Sequence, residues 1–411
     1  MRHSVVGALA SALLFTLAAA PCHGQAARVS DDAPLRGRTD DSSSVAVKQT
    51  LTFSGTAKSF RVGATSISES VAPFSYHLTS PRFGVQVSGT PVRLNAQPIV
   101  VNAWVPLQIN ADYIVRPGDT LSVYGRTGSS PVTLDSLQTI AVGAVSTSVV
   151  DLSSQWLGMP AQVGARGVLS FPVADVVLAV SGALEQDAKP PATGAAYWLG
   201  TTVRGGLAVN ANLGDRKLTI GTEVTHSSAD SLGGRNQFPG GGDFTLSADL
   251  SGPLDELSTI SFIADGSYSR PFGNVRSDQP TRLIPSGDLL SLSGTLLVGT
   301  GALTWSPNVT VLRESSSAII NVQQGVQRLS ASLDASAWSA AAGLTVDIPF
   351  GRSLTLTPEF GATIGAVNET VSRAGNRVIV RRGRAALGST ATGSHDAVRG
   401  VWGGIGLSAK F

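Results

Sequence analysis

The sequence is organised by short segments in which apolar and polar side chains alternate. In residues 217–225, for example, the apolar positions are Leu218, Ile220 and Val224, and polar residues occupy the places between them. Because successive side chains of a strand point to opposite faces, each such segment predicts a two-faced β-strand. Further segments of this kind lie at 83–89, 107–115, 163–171, 176–184, 197–211, 244–250, 260–268 and 354–364. No convincing run of amphipathic helices separates them.

The connections between these segments come in two sizes. Short turns rich in Pro, Gly and Asp are predicted at 79–82, 116–119, 172–175, 213–216, 251–258, 305–308 and 350–353. Longer polar or Gly-rich segments alternate with them, at 129–160, 187–195, 228–241, 271–288, 319–327 and 367–397. This alternation predicts an all-β, closed antiparallel up-and-down transmembrane β-barrel of about sixteen strands. The number falls to about fourteen if 46–55 and 67–79 are not strands.

One region breaks the pattern. Leu329, Ala331 and Leu333 are odd-numbered, whereas Leu344 and Val346 are even-numbered. The change of phase across 338–342 predicts either a β-bulge or a strand that extends beyond the membrane.

Composition agrees with a barrel that is apolar outside and wet inside. Charged residues make up 14% of the chain and the mean hydropathy is +0.17, which is low in charge for a soluble surface and too polar for a helical membrane protein. The net charge of +2 argues against a nucleic-acid partner.

The N-terminus predicts export. A short basic start is followed by an apolar run rich in Ala and Leu and by small residues near Ala26, so residues 1–26 are predicted to be a Sec-type signal peptide. Residues 27–45 are polar and predict a flexible periplasmic leader, which leaves 46–411 for the barrel. The single cysteine, Cys22, precedes the predicted cleavage site. Cleavage at Cys22 to give a lipoprotein is disfavoured by Pro21.

The last segment, VWGGIGLSAKF, places Val401, Ile405 and Leu407 on one face and ends on Phe411. This pattern resembles the closing strand of bacterial outer-membrane β-barrel proteins of the porin-like or transporter-like kind. The resemblance implies that the barrel-insertion machinery reads Phe411 and that the protein lies in the outer membrane, in contact with its lipid. It also implies that both termini are periplasmic and the long loops external.

The polar phase of the strands gives the candidate pore-lining residues. These are Arg82, Arg126, Arg166, Arg204, Asp112, Glu223, Asp249, Asp265 and Glu359, with Glu185 and Asp334 in the same phase. Opposed basic and acidic groups in a wide pore would set up a transverse field that favours small polar or charged solutes. The alternative is that they only pair with one another.

Two long loops carry further hypotheses. Residues 129–160 are unusually apolar for an exposed loop, so they either fold against the lumen and narrow it or pack on neighbouring loops. The final loop contains five arginines that are candidates for binding lipid phosphates, Arg373, Arg377, Arg381, Arg382 and Arg384. A solvated charged loop is the commoner explanation for such a run.

The chemistry of an enzyme is not recognisable. His226, Ser227 and Asp230 are close in sequence, but adjacent strand residues face opposite ways and cannot all converge on one site. No metal-ligand spacing or cofactor motif is found, so no catalytic residue, metal or cofactor is predicted. The expected function is a passive channel or small-molecule transporter. A non-conducting barrel that displays its surface loops or acts as an anchor is the alternative, and the oligomeric state stays open.

Overall fold

The computed structural model describes most of the chain beyond its first 46 residues. The described residues are 47–96, 99–116, 118–127, 152, 161–173, 176–187, 197–198, 201–228, 230–232, 235–238, 241–255, 259–273, 287–324, 327–373, 376–378, 380–381, 384–385 and 394–411. The predicted signal peptide and leader lie outside them. No helix within these ranges is long and apolar enough to cross a membrane.

Sixteen long strands build the molecule. They are β1 (Lys48–Val62), β2 (Thr65–Val71 and Phe74–Thr79), β3 (Phe83–Ala96), β4 (Ile99–Arg116), β5 (Asp119–Arg126), β6 (Gln162–Val173), β7 (Val176–Asp187), β8 (Thr201–Leu213), β9 (Arg216–Ser227), β10 (Gly241–Pro253), β11 (Ile260–Gly273), β12 (Asp288–Thr300), β13 (Leu303–Gln324), β14 (Gln327–Phe350), β15 (Leu354–Arg373) and β16 (Ser394–Lys410).

The two parts of β2 are one strand. Thr56 pairs with Val71 and Phe53 with Phe74, so both parts keep one register against β1. The interruption falls at Pro73, whose nitrogen carries no hydrogen to donate.

The sheet closes on itself. Each strand pairs antiparallel with the next, and β16 pairs with β1 along a register that runs from Thr50 opposite Lys410 to Val62 opposite Val398. The predicted closed antiparallel barrel is therefore confirmed, as is the estimate of about sixteen strands. Closure leaves no unpaired edge among these strands, which is what a sheet needs in order to cross lipid.

One rim of the barrel carries short connections, here called the short-turn rim. Two-residue turns join β8 to β9 and β12 to β13, and their Gly214 and Gly301 adopt φ angles of 64° and 63°. Tight hairpin turns need such left-handed angles, which glycine adopts without strain. Both ends of the described chain meet at this rim, where the Phe411 amide donates to the Gln49 carbonyl at 3.0 Å.

At the short-turn rim, Asp255 secures the connection between β10 and β11. Its carboxylate accepts hydrogen bonds from the Thr259 hydroxyl, from the Ile260 amide at 2.8 Å and from the Thr259 amide at 3.1 Å. The Thr259 hydroxyl bond, followed by the Ile260 amide bond, lowers the pKa of Asp255. Because the pKa of Asp255 is lowered, these hydrogen bonds fully stabilise the fold at any pH above the usual titration range of an aspartate. That stabilisation is lost only as the pH falls through the lowered pKa.

The opposite rim, here called the loop rim, departs from the predicted alternation. Only two residues separate β1 from β2, β3 from β4 and β13 from β14, so the long segment predicted at 319–327 is wrong. Residues 305–308 were predicted as a turn and lie inside β13 instead, because the turn is made by Gly301 and Ala302. Small sheets of short strands (Tyr197–Trp198, Asp230–Leu232 and Arg235–Phe238; Val380–Arg381 and Arg384–Ala385) lie in the connections.

The strands β13 and β14 account for the irregular phase at 329–350. Their pairing runs without a shift from Thr304 opposite Asp347 to Gln324 opposite Gln327. Of the two predicted explanations, the structure therefore has unusually long strands and no bulge in this pairing. A bulge occurs elsewhere, between β3 and β4 at Ser88 to Thr90.

The outer face of the barrel is an apolar band between two rows of aromatic side chains. Near the short-turn rim, the exposed aromatic residues include Phe83, Tyr113, Phe171, Trp305 and Phe350; nearer the loop rim they include Trp104, Phe244, Phe272 and Trp338. Phe350 and Trp338 lie twelve positions apart on β14, which is about 30 Å along the barrel axis for a strand tilted by about 40°. This matches the hydrocarbon thickness of a bilayer.

Candidate functional site: the lumen face

The face opposite the apolar band lines the lumen, and it receives most of the predicted pore residues. The cross-strand register puts Asp112, Arg126, Arg166, Arg204, Glu223, Asp249, Asp265 and Glu359 there. Arg82 instead lies in the exposed turn between β2 and β3. Asp334 shares the outward face of β14 with Trp338, because the lumen-facing neighbours of Trp338 are the buried Ala335 and Ala337.

A hydrogen-bonded group centres on Glu185 in β7. Its carboxylate accepts from the Tyr124 hydroxyl at 2.6 Å and from Nη2 of Arg204 at 3.3 Å. Tyr124 reaches it from β5 by crossing Gly164 of β6, where an added Cβ would lie 2.3 Å from the Tyr124 ring. Glu185 is buried with 7% of its side chain exposed, so the pair with Arg204 is held away from bulk water.

The same row of side chains continues to β9. The Thr202 and Ser227 hydroxyls lie 2.9 Å apart, and Ser227 is fully buried. Its neighbour His226 is exposed on the outward face. The two residues therefore lie on opposite faces, and His226 cannot act as a base for Ser227.

Acidic side chains dominate the wall formed by β10 to β12. Asp249 and Asp265 are directly paired across β10 and β11. The Ser293 hydroxyl donates to Asp265 at 2.6 Å. Two carboxylates on facing strand positions concentrate negative charge on this wall, and negative charge attracts cations.

A third group joins the two ends of the chain. The Thr56 hydroxyl of β1 donates to Glu359 of β15 at 2.9 Å, passing over Gly404 of β16. Next to it, the indole of Trp402 lies along Gly361 and Gly343, where an added Cβ would approach the ring to 2.2 and 2.7 Å. Because glycine has no side chain, groups two strands apart can meet across it on the lumen wall.

Apolar side chains form a separate lumen cluster near the loop rim. Its buried members are Phe60, Val62, Ile67, Leu94, Leu152, Ala337, Val367 and Val398. Leu152 is the one described residue of 129–160, and it is 2% exposed within this cluster. The rest of that loop lies outside the described residues, but this one side chain packs against lumen-facing residues, in keeping with the inward-folded alternative.

The described lumen face carries more acidic than basic residues. The acidic ones are Glu69, Asp112, Glu185, Glu223, Asp243, Asp249, Asp265, Glu314, Asp347, Glu359 and Asp396; the basic ones are Lys48, Lys58, Arg126, Arg166, Arg204, Lys217 and Lys410. The arginines cluster on β5, β6 and β8, and most of the acids lie on other strands. The described part of the lumen face is therefore net acidic, and its arginines are gathered on one side.

The remaining predictions concern sites that the structure only partly describes. Arg373, Arg377, Arg381 and Arg384 lie on strands, but their side chains are outside the described set, as is the whole of Arg382. In the described ranges, no group of three or more His, Cys, Asp or Glu residues could hold a metal ion.

Sequence reasoning did not single out Tyr124 or the lumen role of Trp402. Trp402 falls on the small and polar face of the closing segment. An aromatic residue in that phase, between glycines on the neighbouring strands, is the signal that could have identified it. The glycines became informative only once the register put Gly361 and Gly343 beside it.

Comparison with known proteins gives structural likeness only. No protein-family model matches the chain, and no curated protein matches it. Among solved structures, it is similar to OmpT, an outer membrane protein of Vibrio cholerae, at 10% identity and a TM-score of 0.38, over 91% of this chain and 100% of that one. OprB of Pseudomonas putida follows at 9% identity and a TM-score of 0.44, over 89% and 94%. OpdL of Pseudomonas aeruginosa has 11% identity and a TM-score of 0.43, over 89% and 98%. The assignment of this chain rests on its own strand pairing, which makes it a closed, antiparallel, sixteen-stranded β-barrel.

Proposed function

We propose that the protein is an outer-membrane channel that lets small polar solutes pass passively and favours cations over anions. Two observations support insertion in a membrane. The height of the apolar band matches a bilayer, and the closed sheet satisfies all its backbone hydrogen-bonding groups, as a sheet in lipid must. In the proposed orientation, the short-turn rim and both termini are periplasmic and the loop rim is external. Export by the Sec route and delivery to the barrel-insertion machinery are part of this proposal.

The observation that carries the proposal is the segregation of the two faces. Large aliphatic residues such as Leu207, Val209 and Leu292 are exposed on the outside. Charged residues occupy the inside of a barrel with sixteen strands, a size at which side chains alone do not fill the lumen. The excess of acids, above all the Asp249 and Asp265 pair, favours cations inside.

A second candidate is a non-conducting barrel that displays its outer loops or acts as an anchor. The observation that favours it is the apolar lumen cluster around Phe60 and Leu152, since buried apolar packing inside a barrel excludes water and ions. The two candidates differ in one measurable quantity, which is ionic current.

The test is current through the purified, folded barrel in a planar bilayer that separates two concentrations of KCl. We expect a steady current whose reversal potential has the sign of a cation preference. The variant with Asp249→Asn and Asp265→Asn should lose part of that preference, whereas Asp334→Asn, on the outward face, should not change it. A folded barrel that passes no current at any voltage would eliminate the channel and leave the display or anchoring barrel.

A further inference from the structure

Three arginines face outward near the loop rim, on strands that are close together around the barrel. Arg61 of β1 and Arg399 of β16 are directly paired, and Arg93 lies on β3 opposite Ser70 of β2. All three are exposed. Arg61 donates from Nε to the Gly63 carbonyl at 3.3 Å, which holds its side chain towards the loop rim.

Their height places them at the outer boundary of the apolar band. Arg93 is ten positions from Phe83, which is about 25 Å along the axis. Arg399 is twelve positions from Phe411, or about 30 Å. Trp104, which pairs with Pro91 two positions below Arg93, is 56% exposed. Tryptophan prefers the level of lipid headgroups, so the arginines lie there too.

The three positive charges face no negative ones. On the outward faces of β15, β16 and β1 to β4, the described residues include no Asp or Glu. Like charges directly across an antiparallel pair repel each other. Arg61 and Arg399 are therefore an arrangement that a bound anion would stabilise, and guanidinium groups match phosphate in geometry.

A groove of about 800 Å³ lies on the outer surface below these arginines. Its lining includes Gly55, Ala57, Ala72, Arg93, Trp104 and Ile405. Arg93 lines the groove itself, in a row four positions below that of Arg61 and Arg399, because Arg61 pairs with Ser66 of β2 and Arg93 with Ser70. The groove lies within the apolar band, so its occupant must be apolar where it meets these residues and anionic at the loop rim.

We propose that Arg61, Arg93 and Arg399 bind the phosphate groups of an outer-leaflet lipid, one of whose acyl chains lies in the groove. The site goes beyond the channel function and rests only on the membrane orientation proposed above. A second copy of the chain is a poorer occupant, because an interface built on this face would bring the same arginines together without outward acids to pair them.

The test measures binding of a bisphosphorylated lipid A to the folded, full-length barrel in neutral detergent, by native mass spectrometry. We expect the variant with Arg61→Ser, Arg93→Ser and Arg399→Ser to bind at least about tenfold more weakly, because it lacks three guanidinium groups that can donate to phosphate. The matched control is Arg216→Ser. Arg216 also faces outward but lies at the short-turn rim, with its guanidinium 5.8 Å from the Phe262 ring, and its loss should leave the affinity unchanged.

Two further binding experiments distinguish a lipid phosphate from free inorganic phosphate. Lipid A from which both phosphates have been removed should bind as weakly to the wild type as intact lipid A binds to the triple variant, and millimolar inorganic phosphate should not displace the intact lipid. Equal lipid affinity in the wild type and the triple variant would overturn the proposal, as would full displacement by inorganic phosphate. Oligomers of the wild type that bind no lipid and dissociate in the triple variant would also overturn it and mark this face as an interface between copies.

Two further measurements guard against misfolding of the triple variant and against a failure of the proposed channel. If the triple variant does not fold, Arg93→Ser alone gives the same comparison, because Arg93 is not paired with another arginine. Current through the triple variant should match that of the wild type, so a failure of lipid binding and a failure of the channel are distinguishable.

Discussion

Replacing Leu292 with arginine is expected to lower the free energy of unfolding of the barrel in a lipid bilayer by about 2–4 kcal/mol. Leu292 is 49% exposed on the outward face of β12. It lies six positions above Val298, which pairs with Trp305 of the lower aromatic row, or about 15 Å towards the middle of the bilayer. A guanidinium there would have to leave water for hydrocarbon. The measurement is chemical unfolding of the barrel in phospholipid vesicles.

The adjacent residue supplies the control. Ser291 faces the lumen, opposite Ser267, and lies on the acidic wall that contains Asp265. Ser291→Arg should therefore cost little. Equal losses for Leu292→Arg and Ser291→Arg would contradict the assignment of the two faces.

Truncation of Glu185 to alanine is expected to destabilise the barrel by about 3 kcal/mol, because removing one partner of a buried ion pair leaves the other charge without compensation. The Arg204 side chain is 21% exposed, so water only partly replaces the lost carboxylate. Tyr124→Phe removes one hydrogen bond and should cost about 1 kcal/mol. Both losses are measured by the same unfolding experiment.

A double-mutant cycle isolates the contribution of the pair. With Glu185 already replaced, Arg204→Ala should cost much less than it does in the wild-type barrel, because the ion pair is already lost. Strictly additive losses would show that the two side chains are not coupled, and the lumen network would then need another explanation.

The closed barrel could be predicted from sequence because its signal is local. A period of two in residues such as Leu218, Ile220 and Val224 fixes which side chains share a face, whatever the register of the neighbouring strands. The same period puts most charged residues of the polar phase on the face opposite the apolar band. Asp334 is an exception, because near the loop rim the apolar Ala335 and Ala337 face inward and reverse the usual pattern.

Turns and lumen contacts depend on information that a local pattern does not contain. Trp305 to Asn308 contain a proline and predict a turn, yet Pro307 lies within β13 and pairs with Leu344 of β14. The actual turn needs the positive φ of Gly301. In the lumen, Tyr124 meets Glu185 only because Gly164 lies between them. Such contacts join residues on different strands, and they appear only when the register is known.

The central claim is that the strands present alternate residues to lipid and to a water-filled lumen. The most direct test introduces single cysteines in turn along residues 289–297 of β12, with Cys22 removed by cleavage or substitution, and measures labelling of the membrane-inserted barrel by a charged, membrane-impermeant maleimide. We expect rapid labelling at the odd-numbered positions, such as 291 and 293, and protection at the even-numbered ones, such as 290 and 292. Equal labelling of both sets, or labelling of the even set alone, would contradict the account.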